Sequence, residues 1–145
     1  MQIQIKKLNE KAIVPTRGSQ QAAGYDLYAC SEQDVVIAPH STVKVGTGIS
    51  MAIPDGYFGA VFARSGLSSK KGLRPGNCVG VIDSDYRGEV IVPLHNDTDA
   101  EKKVDKNERI AQIIVMPYLS VEFLEIDELD DTARGAGGFG STGKL

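Results

Sequence analysis

Alternation with a period of two residues constrains this chain more than any other feature. In "TVKVGTGISMAI" the side chains of Val43, Val45, Thr47, Ile49, Met51 and Ile53 fall on one face of an extended backbone. "QIQIKKL" alternates in the same way, and "DVVIAP" is a short β-branched run. "YFGAVFAR", "CVGVID", "EVIVPL", "RIAQIIVMPY" and "VEFLEI" continue the pattern. Between them lie turn-forming segments: "PTRG", "PDG", "RPGN", "DSDYRG", "NDTDAE" and "DKNE". Many short strands at close spacing predict an all-β domain, closed or sandwiched. One stretch, "SGLSSKKGL" over 65–73, reads as a turn or two of helix ended by Gly72. Strands such as "IIVMP" are apolar on both faces, which a small single sheet cannot bury and a subunit interface can.

A chain of 145 residues is long enough for one domain with a substantial core. A net charge of −3 argues against a broad electrostatic grip on nucleic acid, while a small phosphorylated ligand needs only a local cluster of cations. No apolar stretch approaches a membrane span, and "MQIQIKKLNE" lacks the apolar centre of a signal peptide, so a soluble, cytoplasmic protein is expected. Cys30 and Cys78 have no C-x-x-C spacing and His40 and His95 lie far apart, a poor basis for zinc. The cysteines read as small buried apolar residues, and the histidines as solvated neighbours of turns.

The C-terminal "GGFGSTGKL" contains G-x-G-x-x-G at Gly138, Gly140 and Gly143, and most of a G-x-x-x-x-G-K phosphate loop ending at Lys144. Both motifs work by presenting phosphates to the N-terminus of a following helix. No helix-forming run follows these glycines, and Leu145 stands where the phosphate loop needs a hydroxyl, so neither mechanism is expected. The acidic stretch 125–131 divides a body, 1–131, from a tail, 132–145. A frayed terminus is the plain alternative for that tail.

Four internal stretches carry residues suited to chemistry. "NCVGVIDSDYRGEVIV" has the symmetry of a hairpin turning near Ser84–Asp85, with Asn77 roughly opposite Ile91 and Asp83 ending the first strand; Asp and Ser are also ordinary turn formers. In "GAVFARSGLSS", Arg64 and Ser65 lie where a strand meets the short helix, whose free N–H groups favour an anion; a simple cap is the alternative. Gln112 is the one polar residue entering the apolar run of "ERIAQIIVMP", and equally suits satisfaction of backbone groups. Asp26 in "AAGYDLYA" has aromatic and apolar neighbours, as a buried, paired structural carboxylate also does.

Taken in order, "AGYDLYA", "ARSGL", "GNCVGVIDSDYRGE", "RIAQ" and "RGAGGFGSTG" closely resemble the five ordered motifs of the deoxyuridine triphosphatases (dUTPases), over nearly the whole chain from about Lys6 through the tail. The resemblance implies an all-β jelly-roll homotrimer that hydrolyses dUTP to dUMP and pyrophosphate with Mg2+. That activity limits uracil in DNA and supplies dUMP for dTMP synthesis; no direct nucleic-acid or membrane partner is implied. Each active site would take residues from all three chains.

On these residues, the resemblance implies that uracil is held by Asn77 and by backbone groups of the splayed hairpin, at Val81, Ile82 and Ile91. Tyr86 would stack on the sugar and leave no room for a 2′-hydroxyl. Asp83 would be the general base that aims a water at the α-phosphorus. Arg64, Ser65, Gly66 and Gln112 match the family's phosphate contacts, and Asp26 would support a hydrated magnesium indirectly. The tail would be a mobile lid, with Phe139 over the base, Arg134 at the terminal phosphate, and Gly140, Ser141 and Thr142 against the triphosphate. Asn107 stands where the family commonly has glycine; asparagine tolerates the left-handed backbone, so the same turn is expected. A dCTP deaminase of the same fold, and a non-catalytic nucleotide-sensing jelly roll, are the rival readings.

Overall fold

The alternating segments become eleven antiparallel strands and one helix in the computed structural model, which describes residues 1–138. The strands are β1 (Gln4–Lys7), β2 (Tyr25–Tyr28), β3 (Val35–Ile37), β4 (Thr42–Gly46), β5 (Ile49–Ala52), β6 (Tyr57–Phe62), β7 (Leu73–Pro75), β8 (Gly80–Ile82), β9 (Ile91–Asn96), β10 (Lys102–Val104) and β11 (Arg109–Pro117). One sheet has the order β2-β11-β6-β8 and a second β4-β9-β7, with ribbons β1-β5 and β10-β3 beside them. The inward faces meet in a core of Leu27, Ile37, Ile49, Leu73, Val92, Leu94, Ile110 and their neighbours. This is the expected all-β, jelly-roll arrangement.

"TVKVGTGISMAI" keeps its alternation but is two strands. Gly48, at φ +67°, turns the chain between β4 and β5, and Val45, Thr47, Ile49, Met51 and Ile53 stay buried on both sides of the corner. The helix α1 (Ser65–Lys71) ends as predicted, with Gly72 in the left-handed conformation at φ 67°. Asn107 takes the left-handed backbone expected of it, at φ 62°.

Other expectations need correction. "VEFLEI" is not a strand: Val121, Phe123, Leu124 and Ile126 are exposed and pair with nothing among the described residues. Strands β2, β7 and β10 were not anticipated as strands; the last two are three residues each and are defined by their partners. Cys78 is exposed rather than buried, and Cys30 is only partly covered. His95 is half-buried within β9, where Nδ1 meets the Thr42 hydroxyl at 2.9 Å.

Candidate active site

The predicted Asn77–Ile91 hairpin is not a paired ladder. Its turn is present, closed by the Tyr86 N–H donating to the Asp83 carbonyl at 3.2 Å, but β8 pairs with β6 and β9 pairs with β4 and β7. The reason lies upstream of β8. After β7 the chain turns through Gly76–Val79, with Cys78 at φ 62°, and leaves the β9 sheet to join the other one. Asn77 therefore sits in that turn, not opposite Ile91. The two sequence-adjacent strands splay, and the gap between them is a cavity of about 330 Å³.

Asn77, Val81, Ile82, Asp83, Tyr86 and Ile91 all line this cavity, so the structure brings together six of the predicted site residues. The Asn77 amide lies against Gly80, where an added Cβ would stand 3.3 Å from Nδ2. Asp83 follows the end of β8 with its side chain exposed at the mouth. Lys44, Val61, Glu89 and Pro93 also line the cavity and were missed. Lys44 and Val61 come from β4 and β6, which sheet pairing brings beside the slot; Pro93 follows Ile91 on β9, and Glu89 ends the "GNCVGVIDSDYRGE" motif with no role read for it.

A second cluster forms on the outer face of the four-stranded sheet. Gln112 in β11 is in register with Asp26 in β2 and with Phe62 in β6, so these three side chains share one face, and Arg64 lies two residues beyond Phe62. Arg64 Nε donates to Asp26 Oδ1 at 2.7 Å. Arg109 NH1 reaches Asp26 Oδ2 at 3.3 Å because a bulge between Arg109 and Ala111 puts Arg109 opposite Tyr28, on the face of Asp26. Arg109 opens the "RIAQ" motif, yet alternation puts it on the face opposite Gln112, and only the bulge brings it to the face of Asp26. Gln112 Nε2 donates to the Ala63 carbonyl at 2.9 Å and packs directly on Gly24. Ser65 and Gly66 open α1 and are exposed, and a Cβ at Gly66 would meet nothing within 4 Å.

Within one chain, Arg64, Ser65, Gly66 and Gln112 do not line the cavity that holds Asp83. Arg134 lies in an exposed turn where its Nε donates to the Gly137 carbonyl at 2.8 Å. Phe139, Gly140, Ser141 and Thr142 lie outside the described residues.

The dUTPase family model matches residues 10–143 of the chain. The chain belongs to the dUTPase family. The deoxyuridine 5′-triphosphate nucleotidohydrolase of Nautilia profundicola is 46% identical over 144 residues, covering 99% of this chain and 100% of that protein. The dUTPase of Staphylococcus bacteriophage 80alpha, solved with dUpNHpp, superposes with a TM-score of 0.89 at 29% identity, covering 99% of each chain. A mutant dUTPase from phage phi11 of S. aureus, described for its coordination of a structural Mg(II) ion, superposes at 0.79 with 25% identity over 88% of this chain and 98% of that one. Hydrolysis of dUTP is accordingly the activity of this protein.

The described residues do not themselves build a magnesium site. No group of three or more His, Cys, Asp or Glu residues is placed among them to hold an ion, and both oxygens of Asp26 already accept from guanidinium groups. Among the described residues, no helix is long and apolar enough to cross a membrane.

Proposed function

We propose that dUTP binds with its base in the slot between β8 and β9 and its triphosphate against the Arg64–Gln112 cluster of a neighbouring copy, in a homotrimer with three composite sites. The observation that carries this reading is the separation just described. One chain offers a base slot with a carboxylate at its mouth, and elsewhere, on an outer sheet face, a cationic cluster with an adjoining helix start. The same outer face exposes Val81 and Met116, apolar side chains suited to burial against another copy.

In this reading, Asn77 and the backbone of Val81, Ile82 and Ile91 pair with the uracil edge, and a cytosine there leaves buried polar groups unpaired. Tyr86 stacks on the deoxyribose. Asp83 accepts a proton from the attacking water as its oxygen bonds to the α-phosphorus, and the α–β bridging oxygen departs with pyrophosphate. Arg64, Gln112 and the N–H groups at Ser65 and Gly66 stabilise the charge that develops on the phosphate oxygens. Asp26 supports this group from behind by orienting Arg64. Magnesium enters as part of the substrate, as Mg·dUTP, and neutralises triphosphate charge while keeping most of its water. The tail, 132–145, closes the site over the body, 1–131: Arg134 reaches the terminal phosphate, Phe139 covers the base, and Gly140, Ser141 and Thr142 contact the triphosphate.

The experiment is pyrophosphate release from dUTP with and without magnesium, in the wild type and in Asp83→Asn. Loss of a general base lowers turnover by about 10²–10⁴-fold. A variant that turns over at the wild-type rate removes Asp83 from the mechanism.

A further inference from the structure

The loop joining β8 to β9 holds Tyr86 at the edge of the base slot, and the hydrogen bonds that fix this loop come from a different part of the chain. The Tyr86 ring folds back onto Gly88, which has room for it only because it lacks a side chain, and the Tyr86 hydroxyl donates to the Glu89 carbonyl at 2.9 Å. Tyr86 is thus as well placed as Glu89 is. Glu89 Oε1 in turn accepts the N–H of Gly48 at 2.7 Å. Gly48 is the left-handed residue at the corner between β4 and β5, and Gly46 beside it leaves space for the carboxylate: a Cβ there would come to 2.5 Å from Oε1. The next residue, Val90, is tied to the same corner through its N–H to Ile49 O at 2.9 Å and its carbonyl to Thr47 Oγ1 at 2.6 Å. Ser50 Oγ holds the Arg87 carbonyl at 2.6 Å.

We infer that Glu89 is a positioning residue, whose carboxylate seats in the Gly46-Thr47-Gly48 corner and so holds Tyr86 where it reads the 2′ position of the sugar. The inference rests on the reading of Tyr86 given above. The uracil-reading groups on β8 are held separately, through the pairing of β8 with β6, and Ile91 is held through the pairing of β9 with β4. Loosening Glu89 therefore degrades the reading of the sugar more than the reading of the base. Removing its side chain also leaves the buried Gly48 N–H without an acceptor, whereas glutamine at 89 still offers Oε1 to it.

The test is the ratio of kcat/KM for dUTP over UTP, and for dUTP over dTTP, in the wild type, Glu89→Ala, Glu89→Gln and Tyr86→Ala. The dUTP/UTP ratio falls about tenfold or more in Glu89→Ala, stays within about threefold of wild type in Glu89→Gln, and dUTP/dTTP is unchanged in both. General softening of the fold would instead lower turnover of all three nucleotides together, with both ratios preserved, and that result overturns the inference. Equal failure of Glu89→Gln and Glu89→Ala also overturns it, because it makes charge rather than reach the requirement. If Tyr86→Ala lowers the dUTP/UTP ratio and Glu89→Ala does not, Glu89 alone is misassigned; if Tyr86→Ala leaves the ratio intact, the reading of Tyr86 is what fails. Should Glu89→Ala not fold, Glu89→Asp, one methylene too short to reach Gly48, is held to the same criteria.

Discussion

Neutralising Asp26 separates two roles that its position allows. Its side chain is 12% exposed and bonded to Arg64, 26% exposed, and to Arg109, 50% exposed. Breaking a fully buried pair by removing one partner costs about 3–5 kcal/mol, and an exposed pair contributes about 0–1 kcal/mol. Arg109 is half in water and recovers most of its solvation, so the loss comes chiefly from Arg64. Asp26→Asn keeps an acceptor for Arg64 Nε and removes only the charge, which sets its cost at about 1–2 kcal/mol; Asp26→Ala removes the acceptor as well and costs about 2–3 kcal/mol. For a chain of this size the asparagine variant loses roughly 3–6 °C in Tm. The assay is thermal unfolding without nucleotide or magnesium, at one protein concentration, because the proposed subunit association would make Tm depend on it. An unchanged Tm, together with a raised magnesium requirement for turnover, would refute the structural pairing and assign Asp26 to the metal's water shell instead.

Two further outcomes follow from the body of the fold. Asn96 is completely buried; its Nδ2 donates to the carbonyls of Ile37, Ala38 and Ala100, and its Oδ1 accepts from Thr98. Asn96→Ala removes these bonds, although Ser41 Oγ and Thr98 Oγ1 still donate to the Ala38 and Ala100 carbonyls, and it costs about 1–3 kcal/mol in urea unfolding, with the KM for dUTP unchanged in the protein that remains folded. Asp34 is held below its ordinary value of 3.8 by the hydrogen bond from Lys103, aided by the Lys106 N–H. A carboxylate depressed on folding adds stability above its unfolded pKa and loses it as pH falls through the folded pKa, so Asp34→Asn flattens the decline in stability on the acid side of pH 3.8 and leaves a constant offset near neutrality. An acid limb of unchanged slope would remove Asp34 from the acid response.

Periodicity made most of the strands legible and Gly72 announced its left-handed cap, because those signals are carried by spacing or by a single residue; the left-handed turn at Asn107 was implied by the family resemblance together with asparagine's tolerance of that backbone. What periodicity reports is a face, not a partner. The 77–91 segment has a hairpin's symmetry and a hairpin's turn, yet β8 and β9 belong to different sheets, a choice made by the Gly76–Val79 turn and by competing strands far away in sequence. The three-residue strands β7 and β10 exist only by virtue of such partners. "VEFLEI" has a strand's alternation and no strand to pair with among the described residues. At the site, the motif residues around Asp83 were readable from sequence. Arg109 was hidden by a bulge and Lys44 by distance along the chain, while Glu89 closes the "GNCVGVIDSDYRGE" motif and its place depends on a bond to Gly48 that no local pattern announces.

The account depends most on the base slot and the phosphate cluster being supplied by different copies of the chain. Subunit mixing tests it directly: Asp83→Asn and Arg64→Ala protein, each inactive alone, are unfolded together in equal amounts, refolded and assayed for pyrophosphate release from dUTP. If Asp83 and Arg64 of one site come from different subunits, random reassembly restores both to about one quarter of the sites, and turnover returns to about a quarter of wild type. If one chain supplied both residues, every site would still lack one of them, and the refolded mixture would remain as inactive as its parents.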